Sequence, residues 1–418
     1  MSIEYFKVNG VQVANIKNSS EIALFGFAFR AGSNYETKNI AGVSHYAEHL
    51  FFKGTHTRNS QQINQEFAKL GVNNNAYTSN NEVFYHTTCP KQHIPAVIDL
   101  MSDMLFNSTF PEDELEKERT VIIEEKKSSK DNPQTAFSNA IGNNFFKWEI
   151  GHDIIGEFDT IKSIQRSDII NYLENKVNLH NLLFICSGDI DSENLKKYIE
   201  DCMPSEHPFL KDGQQNIVDT GFWSDIINEP NKIKFTLERD NITQSNIDMM
   251  VRGLAMDDNM FFDMAVICKA IGGGMYSLLW EKIRAELGLC YSVGMITSGM
   301  QYPNKTLIDL YGFTSPENIP LFIEASEEVL EKVKQNGISR DVFDCAKADL
   351  IAGTLRQTET SAGKALYMVR KCLFKGKGNI EERIEAMEKV SLENCNILAK
   401  ALFDTQYNWA VMIPKENK

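Results

Sequence analysis

The stretch IEYFKVNGVQVANI at residues 3–16 decides how the chain begins to fold. Two runs rich in β-branched and aromatic residues flank Asn9-Gly10, and this dipeptide is a strong predictor of a tight hairpin turn. A further apolar run from Ile22 to Arg30 follows at once and has the length of a strand. The sequence therefore predicts that the chain opens with an antiparallel sheet.

Outward from this sheet, the chain alternates strand and helix patterns twice in the same order. In the first half, the predicted strands are at 73–78, 82–88 and 181–190, and the predicted helices are at 60–70, 90–105 and 111–125. In the second half, the predicted strands are at 233–239, 247–253, 290–297 and 307–313, and a helix is predicted at 259–271. We predict an α+β fold of two similar domains, each a mostly antiparallel sheet with helices packed on one side. Turn-forming residues place a linker at 211–230 between domains 1–210 and 231–418.

Composition bounds the class of protein. The 418 residues are 42% hydrophobic and 24% charged, which is typical of globular domains. The net charge of −14 disfavours binding to nucleic acid or to anionic membranes and favours cationic peptides as ligands. Eight scattered cysteines without a CxxC pair indicate reduced thiols and a cytoplasmic location. We expect neither an export signal nor a membrane-spanning segment.

The segment His45-Tyr46-Ala47-Glu48-His49 carries the residues with the clearest chemistry. On a helix, His45 and His49 are four positions apart and lie on one face, so both imidazoles reach the same ion. Glu48 lies beside them. Zinc is the metal that this pattern favours, and the alternative is a pair of surface histidines without a metal.

A catalytic zinc site usually has three protein ligands and leaves room for water, so one carboxylate must come from elsewhere. The predicted helix ELEKERTVIIEEKK at 114–127 offers Glu118 and Glu125, which lie seven residues apart on one face. Glu125 is the predicted ligand and Glu118 its support. Val121 and Ile122 lie between them and predict that this face is turned inward; the alternative is a solvated acidic stripe.

Five segments of the sequence resemble the insulinase and pitrilysin family of inverzincin zinc peptidases, especially its shorter branch, which includes mitochondrial processing peptidase and bacterial homologues. They are GVSHYAEHLFFKGT at 42–55, NNNAYTSNNEVFYH at 73–86, ERTVIIEE at 118–125, HNLLFICSGDI at 180–190 and GGGMYSLLWEKIRAELGLCYSVG at 272–294. The resemblance implies one Zn²⁺ per chain, held by His45, His49 and Glu125, with Glu48 as the general base.

By the same resemblance, Arg284 and Tyr291 contact the substrate, and Glu118 belongs to the catalytic group. The substrate would lie extended along the strand that contains Asn74, Asn75, Ala76 and Tyr77. The expected function is an endopeptidase that hydrolyses unfolded oligopeptides in a chamber between domains, with a zinc-bound water activated by Glu48. A homodimer is the expected assembly. The alternative is a non-catalytic peptide-binding or assembly subunit of the same fold.

Overall fold

The computed structural model describes residues 2–217, 223–254, 259–302, 305–375 and 379–415, so residues 218–222 of the predicted linker lie outside the described part. The strands are β1 (Ser2–Val8), β2 (Val11–Lys17), β3 (Ile22–Phe29), β4 (Asn73–Thr78), β5 (Val83–Pro90), β6 (Leu182–Gly188), β7 (Ile233–Arg239), β8 (Ser245–Arg252), β9 (Cys290–Tyr302), β10 (Lys305–Thr314) and β11 (Asn408–Pro414). They form two separate sheets.

Helices occupy most of the remaining described chain. They are α1 (Val43–Leu50), α2 (Ser60–Leu70), α3 (Ile94–Asn107), α4 (Glu112–Asp131), α5 (Pro133–Phe145), α6 (Trp148–Gly151), α7 (Phe158–Ser163), α8 (Arg166–Lys176), α9 (Ser192–Cys202), α10 (Phe261–Gly272), α11 (Ile319–Asn336), α12 (Arg340–Gln357), α13 (Ser361–Lys375), α14 (Ile380–Glu388) and α15 (Leu392–Leu402). A π-helix spans Trp280–Glu286. The chain divides into two compact units, each with its own sheet.

The sheet of unit 1 has six strands in the order β1-β2-β6-β3-β5-β4. All neighbours are antiparallel except β2 and β6, which are parallel. Asn9 and Gly10 connect β1 to β2 with φ angles of 46° and 88°, as a type I′ turn requires. The predicted opening hairpin is confirmed, and β4 lies at an edge of the sheet.

The core of unit 1 lies between this sheet and its helices. Strand β3 is apolar on both faces because both are covered. Phe25, Phe27 and Phe29 enter the main core, and the ring centroids of Phe27 and Tyr85 stand 4.8 Å apart. Helix α13 contacts β3 and β6. Tyr46 and Leu50 of α1 belong to the same apolar cluster, so the aromatic core supports this helix.

The sheet of unit 2 has five strands in the order β7-β11-β8-β10-β9, and only β7 and β11 are parallel. Unit 1 has the same order and directions once β1 is set aside, and β4 and β9 take the same edge position. The parallel pairs are β2 with β6 and β7 with β11, which are the first and last strands of each repeat along the chain. The predicted α+β fold with two similar domains is confirmed, and the repeat extends to the strand topology.

The units differ from the predicted continuous domains 1–210 and 231–418 in two segments. Unit 1 consists of Met1–Ser129, His152–Thr220 and Arg356–Glu381, and unit 2 of Lys130–Gly151, Gly221–Leu355 and Glu382–Lys418. Each half of the chain thus supplies helices to the other unit, the second half α13 to unit 1 and the first half α5 and the short α6 to unit 2. Local periodicity predicts such helices but carries no information about which sheet they cover.

Specific polar contacts hold α13 in unit 1. Buried Arg30 donates hydrogen bonds to the carbonyl oxygens of Leu373 and Phe374, at 2.8 and 3.2 Å, near the end of the helix. Arg370 pairs with the buried carboxylate of Glu82 at 2.5 Å. The positive charge of Arg30 is favourable near the C-terminus of α13, because the last carbonyl groups of a helix have no partner within it. Glu82 follows β4, so α13 also fixes the hairpin that ends this edge strand.

All eight cysteines are free, and five of them are buried. This agrees with the reduced thiols that the scattered cysteines predict. Among the described residues, no helix combines the length and the apolar character that crossing a bilayer requires.

Candidate metal centre

Helix α1 begins at a tightly constrained glycine. Gly42 has a φ of +95°, and a Cβ atom there would lie 2.4 Å from the carbonyl oxygen of Ile155. The buried carboxylate of Glu36 accepts hydrogen bonds from the backbone N–H groups of Gly42 and Ser44, at 2.7 and 2.8 Å. Because these N–H groups lack partners within the helix, Glu36 caps α1 and also favours its positive dipole end.

His45 and His49 of α1 and Glu125 of α4 converge on one point. The Nε2 atom of His45 lies 3.6 Å from Oε1 of Glu125, and Nε2 of His49 lies 3.6 Å from Oε2 of the same carboxylate. The two imidazole ring centroids are 4.8 Å apart. Among the described residues, these three form the one group of histidine, cysteine or acidic side chains whose ligand atoms are placed to hold a metal ion.

The spacing of the ligand atoms fits zinc. Nitrogen and oxygen atoms about 2.0–2.2 Å from a tetrahedral zinc ion lie about 3.4 Å from one another, close to the 3.6 Å measured between each imidazole and the carboxylate. These contacts are longer than ordinary hydrogen bonds. The donor set of two imidazoles and one carboxylate is also one that zinc takes in catalytic sites.

A second carboxylate fixes the orientation of His49. Nδ1 of His49 and Oε2 of Glu118 are 2.9 Å apart, and Oε1 of Glu118 accepts from Nζ of Lys53 at 2.7 Å. A bond at Nδ1 sets the tautomer that leaves Nε2 free to bind a metal. Glu118 is therefore buried behind the imidazole of His49.

The pKa shifts show a group arranged for positive charge. Burial lowers the pKa of His49, but the nearby carboxylates of Glu118 and Glu125 outweigh it and raise that pKa to about 9. The close approach of His49 in turn lowers the pKa of Glu125. Burial, followed by repulsion from His49, lowers the pKa of His45 to about 4. Neutral His45 retains a nitrogen lone pair at neutral pH, as a metal ligand must.

The formal charges of the centre suit a divalent cation. The centre contains three carboxylates, Glu48, Glu118 and Glu125. The one ammonium group, that of Lys53, pairs with Glu118, so two negative charges remain when both imidazoles are neutral. Nearby Lys126 and Asp153 form their own buried pair at 2.7 Å and leave this balance unchanged. A doubly charged ion would compensate the centre.

Glu48 lies beside the three-residue group and is oriented by a contact from the edge strand. The hydroxyl of Thr78, the last residue of β4, donates a hydrogen bond to Oε2 of Glu48 at 2.5 Å. Burial raises the pKa of the Glu48 carboxyl, while the Thr78 bond and the charge of His49 lower it. A carboxylate with a raised pKa and a fixed orientation is suited to proton transfer.

The inward face of α4 differs from the predicted one in one residue. Ile122 is buried together with Glu118, as predicted, but Val121 is 49% exposed. At 100° per residue, positions 118, 122 and 125 share a narrow face, and position 121 lies at its side. The prediction for Val121 is wrong because the three-residue step from Glu118 turns the Val121 side chain away from the core. The four-residue step from Glu118 to Ile122 keeps the Ile122 side chain directed toward the core.

The residues predicted to line the substrate lie on β4. The backbone of Asn74, Asn75, Ala76 and Tyr77 pairs with β5 on one side, and no described strand pairs with the other side. Such an edge is a template for an added strand. The ring of Tyr77 packs against Phe84 at a centroid distance of 5.9 Å, so this side chain supports the hairpin.

Arg284 and Tyr291 lie in unit 2, on the π-helix and at the start of β9. The guanidinium carbon of Arg284 stands 4.8 Å from the centre of the Tyr291 ring, and Tyr291 is 77% exposed. π-Helical turns often occur at functional sites. The structure therefore brings half-buried Arg284 and exposed Tyr291 together in unit 2.

Several residues that contact the centre were not predicted from the sequence. Lys53 had a usable signal, because it follows His49 by the four positions that separate neighbours on a helical face, although α1 itself ends at Leu50. Thr78 had none, since its contact with Glu48 joins two segments that are distant in sequence. Glu36 had none because its contacts with α1 depend on the conformation of an irregular loop. His152 is likewise buried against Glu36, with Nε2 and Oε2 3.1 Å apart.

The fold and the site define a protein of two topologically equivalent units, of which unit 1 carries a potential metal centre. A family profile described as insulinase (peptidase family M16) matches residues 12–156, and a profile described as peptidase M16 inactive domain matches residues 163–350. The chain belongs to the M16 family. The resemblance found in the sequence is confirmed, and the second profile agrees with the absence of histidine after His207.

Curated relatives span nearly the whole chain. A Bacillus subtilis protein named uncharacterized zinc protease YmxG is 27% identical over 412 residues, covering 98% of this chain and 97% of the relative. An uncharacterized zinc protease of Rickettsia felis is 26% identical over 393 residues, covering 93% and 91%. These names agree with a zinc peptidase.

Solved structures show the same fold. A protease from Helicobacter pylori superposes with a TM-score of 0.86 at 18% identity and covers 99% of both chains. A structure from Pseudomonas fluorescens, titled peptidase M16 inactive domain, has a TM-score of 0.85 at 16% identity and covers 100% of this chain and 99% of its own.

Proposed function

We propose that the protein is a zinc-dependent endopeptidase that hydrolyses unfolded oligopeptides. The observation that carries this proposal is the convergence of His45, His49 and Glu125 beside an oriented Glu48. These three residues would hold one zinc ion per chain. The names of the relatives support the metal and the class of reaction.

The zinc ion, when bound, would polarise the peptide carbonyl and lower the pKa of a water molecule toward about 7. Glu48 accepts the proton of that water at a carboxylate oxygen and delivers it to the leaving nitrogen. Its pKa, raised by burial, suits a group that must both take up and release a proton. Glu118 and Lys53 keep the imidazole of His49 in place throughout.

The free edge of β4 supports an extended substrate. A peptide that adds to this edge makes main-chain hydrogen bonds, so we propose loose sequence preference and a requirement for unfolded chains. Arg284 and Tyr291 would contact the substrate from unit 2. We further propose that the chain acts as a homodimer, for which sedimentation should give twice the monomer mass.

Metal analysis combined with peptide digestion tests the proposal. The zinc-loaded protein should cut a panel of unfolded peptides, and chelation should abolish cleavage until zinc is returned. If the zinc-loaded protein binds these peptides and leaves them all intact, the alternative of a non-catalytic binding subunit replaces the enzyme.

Thr78→Val should lower kcat about tenfold while zinc stays bound. The substitution removes the hydroxyl that orients Glu48 but keeps the side-chain shape, and a hydrogen bond to a charged group contributes about 1.5–3 kcal/mol. Thr78→Ser retains the donor and should keep most of the activity. Equal kcat values for the valine and serine variants would contradict this role.

Glu118→Gln should weaken zinc binding about ten- to a hundredfold, as loss of a carboxylate behind a ligating imidazole commonly does. The amide keeps the shape but lacks the charge that holds His49. A competition titration with a chromophoric chelator measures the affinity. Glu124→Gln on the same helix is the matched control, because Glu124 is exposed and pairs with Lys127. This variant should bind zinc as the wild type does.

A further inference from the structure

A cavity of about 560 Å³ lies entirely within unit 2, next to the end of α10, the π-helix and the start of β9. We call it the unit 2 pocket. Its polar lining includes Lys269, Trp280, Arg284 and Tyr291. Val293, Met295 and Leu350 supply apolar walls, and the exposed side chains of Met275 and Ile296 stand at it as well.

The charge of the pocket is opposite to that of the protein. The chain carries −14, but no aspartate or glutamate lines this cavity, whereas Lys269 and Arg284 do. Lys269 is already compensated by Asp349, with Nζ and Oδ2 2.7 Å apart. Arg284 therefore provides the uncompensated positive charge of the pocket.

Arg284 has unused hydrogen-bond donors. Among the described residues, no carboxylate oxygen lies within 4.0 Å of its nitrogen atoms and none accepts a hydrogen bond from them. Its guanidinium instead lies over two rings, 4.8 Å from the centre of Tyr291 and 5.5 Å from that of Trp280. Such stacking leaves the N–H groups at the edge of the plane available, and this edge matches a carboxylate in a bidentate manner.

The indole of Trp280 and the open backbone at Gly274 also belong to the lining of the pocket. The buried indole Nε1 of Trp280 has no hydrogen-bond partner in the described part of the chain. Gly274 has a φ of +145°, and a Cβ atom there would meet nothing within 4 Å, so the wall beside Met275 is bare. A ligand with an anionic group and an apolar neighbour would satisfy the donors and cover the apolar walls together.

We propose that the unit 2 pocket binds a carboxylate of the substrate peptide together with an adjacent apolar side chain, and that Arg284 reads the carboxylate. This inference rests on the proposed function for the statement that the ligand is a peptide. The substrate group that it names is negatively charged, whereas the net charge of the chain favours positively charged peptides. The carboxylate has two sources, the peptide C-terminus and an aspartate or glutamate side chain.

Binding to the Glu48→Gln protein tests the proposal without turnover. One pair of short peptides with an apolar last residue ends in a free carboxylate or in an amide. A second pair is amidated and carries Glu or Gln beside an internal apolar residue. Calorimetry should show at least about tenfold tighter binding of the charged member in one pair, and the pair identifies the source of the carboxylate. Equal affinity within both pairs overturns the proposal.

Arg284→Gln should remove this discrimination, and Arg284→Lys should retain part of it because the charge stays while the bidentate geometry is lost. Arg340→Gln, on the exposed surface of α12 in the same unit, is the matched control and should discriminate as before. Full discrimination by Arg284→Gln would place the carboxylate elsewhere and overturn the proposal.

The two proposals fail in different ways. A zinc-loaded wild-type protein that cuts no peptide, while the charged peptides still bind more tightly, refutes the endopeptidase and leaves the unit 2 pocket standing. Cleavage without any preference for the charged peptides refutes the pocket alone.

Discussion

The Glu48→Gln protein is expected to bind zinc as the wild type does and to lose about 10²–10⁴-fold in kcat, the range that general acid–base catalysis contributes. An amide has the shape of the carboxylate and still accepts the hydrogen bond from Thr78. It does not accept the proton of water. The expected result is therefore a folded, metal-loaded and inactive protein.

Stability gives an independent check on this variant. Burial raises the pKa of Glu48, so the folded protein carries a desolvation cost for the charged form. A neutral amide removes that cost, and the thermal midpoint should stay level or rise. Zinc content, kcat and the thermal midpoint are measured on one preparation, with Glu124→Gln as the control. Undiminished cleavage by zinc-loaded Glu48→Gln would assign the base to another residue.

The Glu125→Gln protein is expected to lose zinc affinity by more than about 100-fold, because a direct ligand should matter more than the supporting groups whose loss costs about 10–100-fold. Glu125 is the carboxylate that both imidazoles face at 3.6 Å. Cleavage should disappear at the zinc concentrations that saturate the wild type.

Thermal unfolding with and without zinc measures this effect apart from activity. A ligand that binds only the folded state stabilises it by RT ln(1 + [L]/Kd), so zinc should raise the thermal midpoint of the wild type and of Glu124→Gln. The midpoint of Glu125→Gln should not move at the same zinc concentration. A zinc-dependent shift of wild-type size in Glu125→Gln would remove this residue from the ligand set.

Much of the fold and of the metal centre follows from local pattern. The Asn9-Gly10 turn, the strands β1 to β10 and their repeated order with helices along the chain obey short-range periodicities that hold wherever the segments lie. Strand β11, which lies inside the sheet of unit 2, was not predicted. His45 and His49 share a face because a helix repeats every 3.6 residues. The same rule pairs Glu118 with Glu125, and its coarse use put Val121 on the wrong face.

Other parts of the site have no local signal. Thr78 meets Glu48 because β4 and α1 pack together, and Glu36 caps α1 through a loop that precedes it. The predicted preference for cationic peptides was based on the net charge of the whole chain, −14. Binding depends on the charges that line one pocket, and those of the unit 2 pocket have the opposite sign.

The sequence by itself determined the two-fold repeat of strands and helices, the metal-binding helix and the identity of the groups able to ligate zinc. Only the tertiary structure decided that α13 and α5 each complete the unit of the other half, that Lys53 and Thr78 hold the site in register, and that Arg284 has no anionic partner among the described residues. The physical reason is range. Helical and strand periodicities act over a few residues, whereas ion pairs, caps and pocket charges arise where segments far apart in the chain are packed against one another.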